Sequence, residues 1–103
     1  MLPLIAERRA EIAALCRRYH VRRLELFGSA ARETDFDPAR SDVDVLVEFD
    51  PASGIPDLDR YFGLKEALAA LFERPVDLVM AGSVRNPFIR AAIDRSRETL
   101  FAA

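Results

Sequence analysis

Two aspartates, Asp42 and Asp44, stand one residue apart at the head of the run Ser41-Asp-Val-Asp-Val-Leu-Val-Glu48. Side chains alternate faces along a strand, so both carboxylates point the same way if this run is extended. Paired carboxylates at a strand mouth suit a hard divalent cation such as Mg2+. Upstream, Leu24-Glu-Leu-Phe-Gly-Ser-Ala-Ala-Arg32 reads as a strand, a Gly28-Ser29 turn and the start of a short helix. Backbone N–H groups and a hydroxyl at such a turn suit a phosphate. One motif would hold phosphate and the other the metal that phosphates carry, which points to chemistry on a nucleoside triphosphate.

The elements that must position these groups are legible in the pattern. Residues 3–19 predict one amphipathic helix, with Leu4, Ile5, Ile12, Leu15, Cys16 and Tyr19 on its apolar stripe and His20 closing it. Residues 22–27 predict a strand with Leu24 and Leu26 on one face and Glu25 and Phe27 on the other. A one-turn helix around Ala30–Glu33 and a polar loop from Thr34 to Arg40 follow; Asp35 and Asp37 in that loop read as ordinary turn residues. Residues 42–49 predict the second strand, with Val43, Val45, Val47 and Phe49 facing the core.

After a turn-rich break, Asp57 is placed to cap a helix running to about Glu73, with Leu58, Tyr61, Phe62, Leu68, Leu71 and Phe72 inward. Gly63 weakens that helix by about 1 kcal/mol relative to Ala. Pro75–Met80 predict a third strand carrying Asp77. Asn86-Pro87 opens a last helix with Phe88, Ile89, Ala92 and Ile93 inward. Thr99–Ala102 predict a short edge strand. The implied fold is α/β (α+β): a small mixed sheet with helices packed on one face, and the other face, with Asp42, Asp44 and Asp77, left open as the site.

Composition narrows the function classes. A chain of 103 residues, half of them apolar, fits one domain over residues 1–103 with a packed core. It has no apolar run long enough to span a membrane, no signal-peptide pattern and one cysteine, so a cytoplasmic location is expected. Cys16 falls on the apolar stripe and reads as a buried structural thiol. A net charge of −2 argues against a nucleic-acid partner. Lys65 is the one lysine beside fourteen arginines.

Phe27-Gly-Ser-Ala-Ala-Arg32, followed by Ser41-Asp-Val-Asp-Val-Leu-Val47 after a spacer of twelve residues between Ser29 and Asp42, resembles the signature of the DNA polymerase beta-like nucleotidyltransferases. It is closest to the version in minimal nucleotidyltransferase (MNT) domains, the antitoxin-type partners of HEPN-domain proteins. Glu33 departs from the glycine found after the arginine in many relatives. The resemblance implies a nucleotidyltransferase fold and transfer of a nucleotide to a hydroxyl. It implies two Mg2+ ions held by Asp42, Asp44 and Asp77, with Asp77 also assisting deprotonation of the acceptor. ATP would be the substrate, held by Gly28, Ser29 and Arg32.

Larger relatives append a domain for sugar, RNA or DNA, and none is expected here beside a single domain over residues 1–103. Phe27, Leu46 and Val79 are expected on the open face, and apolar groups there suggest a covering partner. The resemblance makes that partner a HEPN-domain RNase toxin. AMP transfer to a toxin tyrosine would silence it in a type VII-like toxin–antitoxin hetero-oligomer. A non-catalytic binding antitoxin, and nucleotidyl transfer to a small molecule or RNA end, stay open as alternatives.

Overall fold

The computed structural model describes residues 3–28, 42–51, 54 and 56–103. Its elements are α1 (Pro3–Ala6), α2 (Arg9–Arg18), β1 (Val21–Phe27), β2 (Val43–Phe49), α3 (Asp57–Phe72), β3 (Val76–Met80), a 3-10 turn (Ala81–Ser83), α4 (Pro87–Ser96) and β4 (Glu98–Ala102). The four strands form one sheet in the order β3-β2-β1-β4. β1 is antiparallel to both β2 and β4, whereas β2 and β3 are parallel. Parallel neighbours need a crossover, and α3 supplies it. The mixed α/β class expected from the sequence is the one observed.

Alternation builds the core. Val43, Val45, Val47 and Phe49 point to one side of β2, beside Leu24 and Leu26 of β1. Ile5, Ile12 and Cys16 of α1 and α2, and Leu64, Leu68 and Phe72 of α3, close over that face. The expected single N-terminal helix is broken at Glu7–Arg8, where Arg8 N–H donates to the Ile5 carbonyl three residues back (3.0 Å). The apolar stripe survives the break: Ile5, Ile12 and Cys16 are all fully buried.

α3 departs from expectation in phase. Its buried positions are Arg60, Leu64, Leu68 and Phe72, spaced four apart, while Leu58 and Phe62 are 66% and 51% exposed. Arg60 belongs on the buried stripe because its guanidinium finds partners there. It donates to the Asp50 carbonyl (2.8 Å), pairs with Asp57 and lies over the Phe49 ring, 4.7 Å from its centroid. Asp57 is thus the first helical residue and an Arg60 partner; the N-cap position is Pro56. Tyr61 donates to the Leu78 carbonyl of edge strand β3 (2.7 Å).

α4 begins as expected, with the Asn86 side chain accepting from Phe88 N–H (2.9 Å) and Pro87 in the first turn. Its expected inward residues Phe88 and Ile89 are instead 84% and 53% exposed, and Ile93 is its buried anchor. Unlike α1–α3, this helix lies on the sheet face that carries Leu46. Leu46, Val84 and Ile93 line a residual gap of only about 10 Å³ there. Leu46 is accordingly buried at 7% exposure, which corrects the expectation that it belongs to an open apolar surface. Phe27 and Val79, on the same face, are half-buried.

Candidate functional site

The site is built where the C-terminal end of β1 meets the N-terminal ends of β2 and β3. Antiparallel register sets Phe27 opposite Asp44, and parallel register sets Asp44 beside Asp77. Register partners share a face, so the two carboxylates stand side by side on neighbouring strands. Asp44 is half-buried and Asp77 exposed. Asp42 lies just before β2 and is exposed. It lines, together with Asp77, a cavity of about 470 Å³ whose other walls include Phe62, Lys65 and Val76.

Gly28 follows β1 directly and adopts φ +70°, in the left-handed region that glycine reaches without strain. A Cβ there would lie within 3.3 Å of the Asp44 carboxyl carbon, so the turn backbone sits against that carboxylate. The Gly28 N–H is already engaged: it donates to Ser96 Oγ of α4 at 3.1 Å. Ser29 and Arg32, expected to hold the nucleotide, lie outside the described residues, as does the short helix around Ala30–Glu33.

Among the described residues, no three His, Cys, Asp or Glu side chains stand arranged to hold a metal ion. Mg2+ does not require such a cage. It binds through one or two carboxylates and completes its shell with water and substrate phosphates. The hard oxygens of Asp44 and Asp77, with Asp42 beside the shared cavity, fit that demand.

Next to the carboxylates lies a feature that the motifs did not reveal. Glu25, on the same face as Phe27, is buried at 4% exposure and receives two 2.6 Å hydrogen bonds from Arg97 Nε and Nη2. Hydrogen bonding from Arg97 holds its carboxyl below the ordinary range, against the upward push of burial. The sequence did carry a signal: a carboxylate inside Leu-Glu-Leu of a central strand requires a cation. Nothing in the spacing named Arg97 as that cation.

At the far end of the sheet, Cys16 is fully buried and its thiol is pushed up to about 12 by desolvation. His20 there has φ 55°, and its carbonyl accepts from Asp50 N–H at 2.9 Å, so it serves the turn into β1. No helix among the described residues is long and apolar enough to cross a membrane.

With this geometry in view, the likenesses to known proteins are specific. The nucleotidyltransferase domain family model matches residues 10–100. The protein adenylyltransferase MntA of Thermococcus cleftensis is 39% identical over 77 residues, covering 74% of this chain and 72% of that protein. A solved structure provisionally described as a minimal nucleotidyltransferase is 31% identical, with a TM-score of 0.71 over 90% of this chain and 89% of that one. A chain from the Shewanella oneidensis complex of a tri-AMPylated HEPN toxin with its MNT antitoxin shares the fold, with a TM-score of 0.64 at 20% identity over 96% of this chain and 73% of that one. The chain belongs to the nucleotidyltransferase domain family.

Proposed function

We propose that this protein transfers AMP from Mg-ATP to a tyrosine hydroxyl of a HEPN-domain toxin, and acts in the cytoplasm as the antitoxin of that pair. The observation that carries the reading is the register of Asp44 beside Asp77, with the Gly28 turn packed against Asp44. The name of the Thermococcus relative, a protein adenylyltransferase, supports AMP transfer to protein. The Shewanella complex, an MNT antitoxin bound to an AMPylated HEPN toxin, supports the choice of partner.

In the reaction, the acceptor oxygen attacks the α-phosphorus of ATP. The bond between that phosphorus and the oxygen bridging to the β-phosphorus breaks, and pyrophosphate leaves. Asp42, Asp44 and Asp77 would hold two Mg2+ ions, which, when bound, offset charge on the triphosphate and the reacting oxygens. Asp77, exposed at the edge of the cavity it shares with Asp42, would take the acceptor's proton. Gly28, Ser29 and Arg32 would bind the phosphates, with Gly28 contributing the shape of the turn.

The test is label transfer. The protein, Mg2+ and ATP labelled on the α-phosphate are mixed with a HEPN partner, alongside Asp44→Asn. Label on the partner tyrosine, lost in the variant, is the expected result. A wild type that neutralises the toxin without labelling it, and an Asp44→Asn that does so equally well, would establish a binding antitoxin instead. Label appearing on RNA or a small molecule without the partner would move the acceptor.

A further inference from the structure

The Gly28 turn is not held by its own strand alone. Ser96, in the last turn of α4, accepts the Gly28 N–H at 3.1 Å across 68 positions of sequence. The hydroxyl's single proton has acceptors of its own in the helix: the Ala92 carbonyl at 3.2 Å, the back-bond that serines in helices commonly make, and the Ile93 carbonyl at 3.5 Å. A proton pointed at either carbonyl leaves an oxygen lone pair for the Gly28 N–H. The next residue, Arg97, holds the buried Glu25 with its two parallel bonds and is itself braced by Asp94 at 2.7 Å. The end of α4 therefore grips β1 at Glu25 and again at Gly28, on either side of Phe27, whose register partner is Asp44.

We infer that Ser96 is a positioning residue for nucleotide binding: its hydroxyl fixes the Gly28 amide and thereby the φ +70° turn that abuts Asp44, with the Arg97–Glu25 pair anchoring the helix end that carries it. This rests on the reading of the Gly28 turn as the phosphate-binding turn. Ser96 itself touches neither phosphate nor acceptor. Its hydroxyl takes up the Gly28 N–H, so Gly28 serves the site through the shape of the turn. Without Ser96, the Gly28 N–H loses its acceptor, and the turn must be ordered by the ligand each time it binds, which weakens affinity rather than the chemical step.

The experiment compares wild type, Ser96→Ala and Ser96→Thr as full chains, with Mg2+ and AMP-PNP as the binding probe. Loss of one hydrogen bond that orders the site corresponds to about five- to tenfold weaker binding in Ser96→Ala. The KM for ATP should rise by the same factor, with kcat at saturating ATP little changed. The Gly28 amide resonance should shift in the variant before any ligand is added. Threonine keeps the hydroxyl and the back-bond, so Ser96→Thr should restore affinity and resonance together. Wild-type affinity in Ser96→Ala overturns the inference, as does weakened binding that Ser96→Thr leaves unrepaired. Should wild type itself bind no AMP-PNP, the nucleotide reading fails and takes the role of Ser96 with it.

Discussion

Arg97 reaches across 72 positions of sequence to hold Glu25 in two parallel hydrogen bonds of 2.6 Å, closing the C-terminal helix onto the central strand beside the candidate site. Glu25 is almost fully enclosed, and the Arg97 side chain is about a third exposed. Breaking a buried pair by removing one partner costs roughly 3–5 kcal/mol; solvent around Arg97, and Arg23, whose Nε stays 3.4 Å from Glu25 Oε1, reduce that to about 2 kcal/mol for Arg97→Ala. Chemical denaturation of the two proteins at neutral pH measures it. A change below about 0.5 kcal/mol would mean that the pair does not anchor the helix.

The same pair predicts an acid flank. Arg97 lowers the folded pKa of Glu25 below its ordinary 4.5, so on acidification the unfolded chain takes up this proton first. The contribution is complete above 4.5 and is lost as pH falls below it through the folded value. Glu25→Gln should therefore flatten the decline of Tm in that window, while lowering Tm at neutral pH. A parallel acid decline in both proteins would assign the flank to other carboxylates.

Leu46 and Phe88 test the placement of α4. Leu46→Ala empties a packed position between helix and sheet and should cost about 2–5 kcal/mol. Phe88, 84% exposed, should tolerate Phe88→Ser within about 0.5 kcal/mol. The sequence pattern alone predicts the reverse order, because it places Phe88 inward and Leu46 on an open face. Thermal melts of the two variants decide between them.

That reversal shows where sequence reasoning stopped. The strands and the Gly28, Asp42 and Asp44 motif are legible because each is local: period-two alternation and a short spacing carry them. Asp77 comes from the resemblance, which implies a third carboxylate on a neighbouring strand, and the parallel register sets it beside Asp44. The phase of α3 differs from its apolar pattern because Arg60 reads as a surface residue until the fold brings the Asp50 carbonyl and the Phe49 ring to it. Ser96 and Arg97 are invisible for the same reason. Their partners lie about seventy residues away, and neither residue type is unusual after a helix.

Cys16 offers a chemical check on the core. Burial raises its thiol to about 12, outweighing the lowering effect of Arg17, so at pH 8 the folded protein presents a neutral, enclosed sulfur. Iodoacetamide should leave Cys16 unmodified in the native state and alkylate it in denaturant, with the native rate tracking global opening. Rapid native labelling would mean that α2 opens locally from β1.

Gly63 makes the sharpest contrast between propensity and packing. By helix propensity, Gly63→Ala in the middle of α3 should stabilise the protein by about 1 kcal/mol. In the structure, a Cβ at this position would lie 2.5 Å from Tyr19 Cε1 and 3.1 Å from Cζ, because the tyrosine ring at the end of α2 rests on the bare helix backbone. Tyr19 packs against the core, so its ring would have to move off that surface. Overpacking of this kind costs about 1–3 kcal/mol and outweighs the propensity gain. Gly63→Ala should therefore lower Tm, and combining it with Tyr19→Leu, which removes the ring, should recover the loss attributable to Gly63. If Gly63→Ala is stabilising on its own, the glycine is a simple weak point in the helix and the α2–α3 contact does not depend on it.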